Sequence, residues 1–103
     1  MPELIEFKGF LSFLILHEIS YRPLNGESLA KKIGCRRGAK LTPGTIYPAL
    51  KKLREKELVS YVKIGREKIY ELTPKGKKEL KNQYALFSRY FFGLKKQIRR
   101  QNG

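Results

Sequence analysis

Leu41-Thr42-Pro43-Gly44-Thr45-Ile46-Tyr47-Pro48-Ala49-Leu50-Lys51-Lys52-Leu53 is the stretch on which the fold turns. Thr42 is a residue type that caps helix N-termini, and Pro43 suits the first helical position, where a missing N–H costs nothing. A helix is therefore expected to start here. At helical spacing Ile46, Ala49, Leu50 and Leu53 share one face, while Gly44, Tyr47, Pro48, Lys51, Lys52 and Glu55 occupy the other. Such a helix is apolar towards a core and basic and aromatic towards solvent. Pro48 forgoes the bond to the Gly44 carbonyl, at about 3 kcal/mol in a regular helix interior, so a kinked or loosened first turn is expected.

Before this helix lies Cys35-Arg36-Arg37-Gly38-Ala39-Lys40, read as a basic loop without periodicity. Asn25 caps a short second helix, with Leu29, Ala30 and Ile33 on one face and an expected end near Gly34. From Glu3 to Tyr21 apolar residues, among them Phe10, Leu11, Phe13, Leu14, Leu16 and Ile19, fall almost all round a helical wheel. A first helix of this kind must be covered on two sides, and the expected covers are its own domain and a second subunit.

After it, Leu58 to Leu72 changes to β-branched and aromatic residues on both sides of Gly65-Arg66, which fits a two-residue hairpin turn. That turn pairs Val59 with Leu72, Tyr61 with Tyr70 and Val62 with Ile69. Val59, Tyr61, Tyr70 and Leu72 then share the core face, with Lys63 and Lys68 on it near the tip. Thr73-Pro74 opens a last helix of up to 27 residues, ending by Arg100. In it Leu80, Tyr84, Phe87, Phe91, Leu94 and Ile98 recur at alternating spacings of four and three, a seam that needs a partner helix. Either a second subunit or the chain's own first helix would serve. The length of the helix favours dimerisation, and Phe10, Phe13 and Leu14 of the first helix are assigned to the same interface.

Composition narrows the function. The 103 residues suffice for one modest core, and a net charge of +14 points to a polyanionic partner. The charge is uneven: −1 over residues 1–23, +7 over 24–73 and +8 over 74–103. One cysteine, Cys35, and one histidine, His17, supply neither a disulfide nor a four-ligand zinc site, so no metal or cofactor is expected. Cys35 is read as structural or incidental rather than redox-active, and His17 as a packed, hydrogen-bonded side chain. With no aspartate and no phosphate-cradling glycine loop, neither a Ser-His-Asp triad nor a carboxylate-metal site can be assembled, which argues against an enzyme. The apolar run Phe10 to Leu16 is too short to cross a bilayer and no secretory leader is evident, so a cytoplasmic, nucleoid-associated, prokaryotic location is expected.

Three helices and a hairpin, with bases on the outer face of the third helix, make the helix-turn-helix plan with a wing. The fold class expected is α+β, mostly α: a winged helix-turn-helix with a two-stranded wing over residues 1–73, then a dimerisation helix and basic tail over 74–103. Double-stranded DNA is the expected partner, because a helix fits the major groove while flanking cations neutralise phosphates. The expected DNA contacts are Arg36, Arg37 and Lys40 in the loop, Thr42, Thr45, Tyr47, Lys51 and Lys52 on the third helix, and Lys63, Arg66 and Lys68 in the wing.

The quoted stretch, with its Gly-Thr-aliphatic-Tyr-Pro core, resembles the recognition-helix signature of PadR-like transcriptional regulators. The resemblance continues through Leu58-Val59, Lys68-Ile69-Tyr70-Glu71-Leu72-Thr73 and Gly76. It implies a winged-helix domain, a C-terminal dimerisation helix and repression relieved by a ligand, in the compact branch with one C-terminal helix. The chain departs from the pattern at Gly26-Glu27-Ser28-Leu29, where Gly-Tyr-Glu-aliphatic is usual, and at Glu57, where a glycine usually ends the recognition helix. Lacking tryptophan, it would stack a flat aromatic effector at the dimer interface on Tyr84, Tyr90 and Phe91. Two other readings stay open: an architectural protein that coats DNA with little sequence preference, and a last helix that docks on a membrane surface or a protein.

Overall fold

The computed structural model describes residues 7–38, 40–92 and 94. Its elements run α1 (Phe7–Tyr21), β1 (Leu24–Asn25), α2 (Gly26–Arg37), α3 (Pro43–Glu55), β2 (Val59–Ile64), β3 (Glu67–Leu72) and α4 (Pro74–Phe92). This is the expected mostly helical winged helix, with one strand more than expected. β1 pairs antiparallel with β3, Leu24 opposite Tyr70 and Asn25 opposite Ile69, so the sheet has three strands in the order β1-β3-β2. A strand of two residues has no periodicity to read.

The hairpin forms in the expected register, with Val59 opposite Leu72, Tyr61 opposite Tyr70 and Val62 opposite Ile69. Gly65 takes a φ of 64°, the left-handed conformation that the first position of such a turn favours in glycine. Asn25 caps α2 as expected, its Oδ1 accepting from the Ser28 amide at 2.7 Å. The end of α2 differs. The helix continues past Gly34, which is buried, to Arg37, and Gly38 at φ 84° is the left-handed cap, its amide donating to the Gly34 carbonyl. A glycine within a helix costs about 1 kcal/mol but does not terminate it unless its backbone turns left-handed.

Thr42 occupies the N-cap position of α3, yet its hydroxyl makes no cap bond. It lies 3.1 Å from the Thr45 hydroxyl instead. At the other end Glu57 keeps the left-handed conformation, φ 62°, without being glycine. The Glu57 amide donates to the Arg54 carbonyl and the Leu58 amide to the Leu53 carbonyl, both at 2.9 Å. With Leu53 and Leu58 both buried, this is a complete Schellman cap. α4 begins on its own cap: the Gly76 amide donates to Thr73 Oγ1 at 2.9 Å, and that hydroxyl donates to the Glu57 carbonyl at 2.6 Å. The end of α3 and the start of α4 are thereby joined.

The core gathers Leu11, Ile15, Leu16 and Ile19 of α1, Leu29, Ala30 and Ile33 of α2, and Ile46, Leu50 and Leu53 of α3, closed by Val59, Tyr70 and Leu80. Burial of each large aliphatic contributes about 1.5–3 kcal/mol, so Ile46, Leu50 and Leu53 anchor α3 to the core. The second side of α1 is covered partly from within the chain: Phe13 meets Phe87 at 4.5 Å and Tyr84 at 5.6 Å between ring centroids, and Phe10 meets Phe87 at 6.0 Å. His17 is the packed side chain expected, Nδ1 paired with the Tyr84 hydroxyl at 2.5 Å and its ring stacked on Phe13.

Candidate nucleic-acid interface

Burying Ile46, Leu50 and Leu53 forces the opposite side of α3 outward. Gly44, Tyr47, Pro48, Lys51 and Lys52 are exposed there, and Thr45 is half-buried. Thr42 and Lys40 are exposed just before the helix. Arg36 and Arg37 close α2 rather than lying in a loop, and their side chains fall outside the described residues.

Lys63, Arg66 and Lys68 are exposed on the hairpin. Lys63 faces Lys68 across the ladder, placing both near the tip on the face that carries Tyr61 and Tyr70. The Lys68 ammonium and the Arg54 guanidinium each sit 4.9 Å from the Tyr61 ring centroid, so that ring steadies a cation from the wing and one from α3. Arg54 and Tyr61 were not among the expected site residues; the alternation of the hairpin shows Tyr61 inward but carries no sign of the arginine above it. Burial pushes the Tyr70 hydroxyl above its ordinary value near 10, with Arg54 pulling the other way, so Tyr70 is neutral at pH 7 and serves the core.

The wing and α3 meet at a cleft of about 330 Å³ that also takes in the start of α2. Tyr47, 47 % exposed, lines it together with Asn25, Gly26, Arg66, Lys68 and Tyr70. The Tyr47 ring lies against Gly26: a β-carbon there would fall 2.6 Å from Cε1 and 2.8 Å from the hydroxyl. This contact was not anticipated, since nothing local to Gly26 signals a tyrosine one helix away.

The expected dimer residues divide. Leu80 is 4 % exposed and belongs to the chain's own core, a correction to its place in an intersubunit seam. Tyr84 and Phe87 of α4 pack on Phe10 and Phe13 of α1, and Leu14 is half-buried. Beyond them Phe91 (43 %) and Leu94 (52 %) are exposed, alongside Tyr90 and Phe92 (84 %). Ile98 lies outside the described residues. Cys35 is exposed. Among the described residues no group of three His, Cys, Asp or Glu could hold a metal ion, and no helix is long and apolar enough to cross a membrane.

Comparison with known proteins agrees with this geometry. A PadR-like transcription factor from Bacteroides fragilis superposes with a TM-score of 0.76 at 26 % identity, covering 86 % of this chain and 90 % of its own. A Thermoplasma acidophilum protein described as a transcriptional regulator gives 0.71 at 30 % identity, over 84 % of this chain and 90 % of that one. A PadR family transcription regulator from Clostridium difficile gives 0.67 at 25 % identity, over 92 % and 100 %. No protein of curated function matches the chain. The sequence model of the PadR-like family matches residues 15–82, which reach from α1 through the wing into α4. The chain therefore belongs to the PadR-like family of transcriptional regulators, DNA-binding proteins rather than enzymes.

Proposed function

We propose that this protein is a homodimeric repressor that reads a pseudo-palindromic operator. The observation that carries the reading is α3, whose Ile46, Leu50 and Leu53 are buried while Tyr47, Lys51 and Lys52 stand exposed beside a basic hairpin. Lodged in the major groove, α3 presents Thr45 and Lys51 to base edges, with Tyr47 contacting the DNA beside them. Lys40, Lys63, Arg66 and Lys68 then neutralise phosphates on either side, with Arg36 and Arg37 assigned the same role. Repression follows from occupying the operator. Dimerisation is supported by the aromatic end of α4, where Tyr90, Phe91, Phe92 and Leu94 are exposed next to the α1 contact. Residues 74–103 act in this reading as a dimerisation helix and basic tail appended to the winged helix. Two-fold symmetry puts the half-sites about 10 bp apart. A small flat aromatic effector stacking on Tyr84, Tyr90 and Phe91 would relieve repression by altering the spacing of the two α3 helices. The working location is the prokaryotic cytoplasm, on the nucleoid.

The test is selection from a randomised duplex pool at physiological salt. Enrichment of a palindrome bound at least about 10³-fold tighter than scrambled DNA is the expected result. A second reading, an architectural protein coating DNA, draws on the charge of +14 and on exposed Lys75, Lys77, Lys78 and Lys81 along α4. Equal affinity for selected and scrambled duplexes, with equally steep salt dependence, would replace the first reading by the second.

A further inference from the structure

The cleft between α2, α3 and the wing has three walls from three elements, and each contributes something an anion binds. α2 brings the backbone of Gly26 and Glu27 at its first turn, the Ser28 amide being taken by Asn25 Oδ1. α3 brings the Tyr47 hydroxyl and the wing brings Arg66 and Lys68. Two carboxylates, Glu27 and Glu67, border the same space. Glu27 is ion-paired with Lys31 at 3.6 Å. Glu67 stands opposite Ile64, and strand alternation puts its side chain on the other face of the hairpin from Lys68 and Tyr70.

Tyr47 reaches this cleft because residue 26 is glycine. The space a β-carbon would need is filled by the tyrosine ring, with Cε1, Cζ and the hydroxyl all within 2.8 Å of that point. Gly26 has no positive φ to explain it, since the left-handed glycines of the described residues are Gly38 and Gly65. Its role is to leave room. Any larger residue would swing the exposed ring out of the cleft, a movement that the free end of a tyrosine permits without unfolding α3.

We propose that the cleft seats a single phosphate of the DNA backbone, gripped jointly by Tyr47, Arg66 and Lys68, and that Gly26 is the positioning residue that lets Tyr47 reach it. The inference rests on the DNA-binding reading above. One phosphate held from both sides locks the wing to the recognition helix and fixes how far α3 enters the groove. Tyr47 is thereby a phosphate ligand at its hydroxyl rather than a reader of bases there.

Salt titration of binding to a fixed duplex tests it, using the full chain and the variants Arg66→Ala, Lys68→Ala and their double. Each neutralised phosphate contributes about −0.9 to the slope of log K against log salt. If both cations grip one phosphate, the double variant flattens the slope by about 0.9 in total, and its loss of affinity is smaller than the two single losses combined. A flattening of about 1.8 with fully additive losses means two phosphates and overturns the shared seat. A second arm places Gly26→Ala in the wild-type and Tyr47→Ala backgrounds. The expected result is a loss of about tenfold in the first and none in the second. Equal losses in both overturn the positioning role, and circular dichroism confirms that each variant is folded. Wild-type protein that binds no duplex would overturn the DNA-binding reading itself, an outcome distinct from additive slopes in a protein that does bind.

Discussion

Replacing Gly76 by alanine should loosen the joint between α3, the hairpin and α4. An alanine β-carbon at this position would lie 1.9 Å from the Leu58 carbonyl oxygen and 2.9 Å from its carbon. Carbon and oxygen settle at about 3.3 Å even in their closest favourable contacts, so the two backbones must part by about 1.4 Å. The Leu58 carbonyl is not free to retreat: it accepts from the Thr73 amide at 3.1 Å, and its own amide completes the Schellman cap of α3. The strain of overpacking is worth about 1–3 kcal/mol. Stretching the Thr73 amide bond and the Thr73 hydroxyl bond to Glu57 adds about 1 kcal/mol each. We expect a loss of about 3–5 kcal/mol, which for a domain of this size lowers the melting temperature by roughly 12–40 °C. Thermal unfolding followed by circular dichroism reads the effect. Gly44→Ala is the matched control, because the nearest atom to its new β-carbon is 3.9 Å away. A melting temperature for Gly76→Ala within about 2 °C of wild type would refute the reasoning, since it would mean that α4 is not held against Leu58.

Glu57→Gly should raise stability by up to about 1 kcal/mol, because relief of the left-handed strain at φ 62° outweighs the extra freedom glycine gives the unfolded chain; the urea midpoint should rise at unchanged m-value. Asn25→Ala should cost about 1 kcal/mol by stranding the Ser28 amide, read in the same assay, and a neutral result would mean water replaces the cap fully. For Tyr70, burial raises the folded-state pKa, so the unfolded chain releases that proton first: stability is intact below pH 10 and falls as the pH climbs past it, and Tyr70→Phe should flatten that decline in denaturation measured between pH 9 and 11. If the chain dimerises as proposed, Phe91→Glu with Phe92→Glu should sediment as a monomer that keeps its helical spectrum, whereas an unchanged dimer would place the interface elsewhere.

Much of this fold was legible because it is written in near neighbours. The Thr-Pro starts of α3 and α4, the asparagine cap of α2, the two-residue turn and the hairpin register all follow from side-chain period and turn chemistry within a few residues. So did the division of α3 into a buried and a basic face, and with it the expectation of DNA. The end of α2 was misplaced because Gly34 and Gly38 look alike in sequence, and only packing decides which of them turns left-handed. Thr42 was a sound cap by type, but its hydroxyl found Thr45 instead. Leu80 was assigned to a partner subunit because a heptad seam does not say which helix it meets, and α1 folds back to claim its first half. β1, the cation pair over Tyr61 and the seat of Tyr47 on Gly26 all join residues far apart in the chain. The sequence by itself determined which segments are helix or strand and which face of each is apolar, since those depend on local geometry. The tertiary structure alone decided which distant residues share a cleft, since that depends on how the faces close on one another.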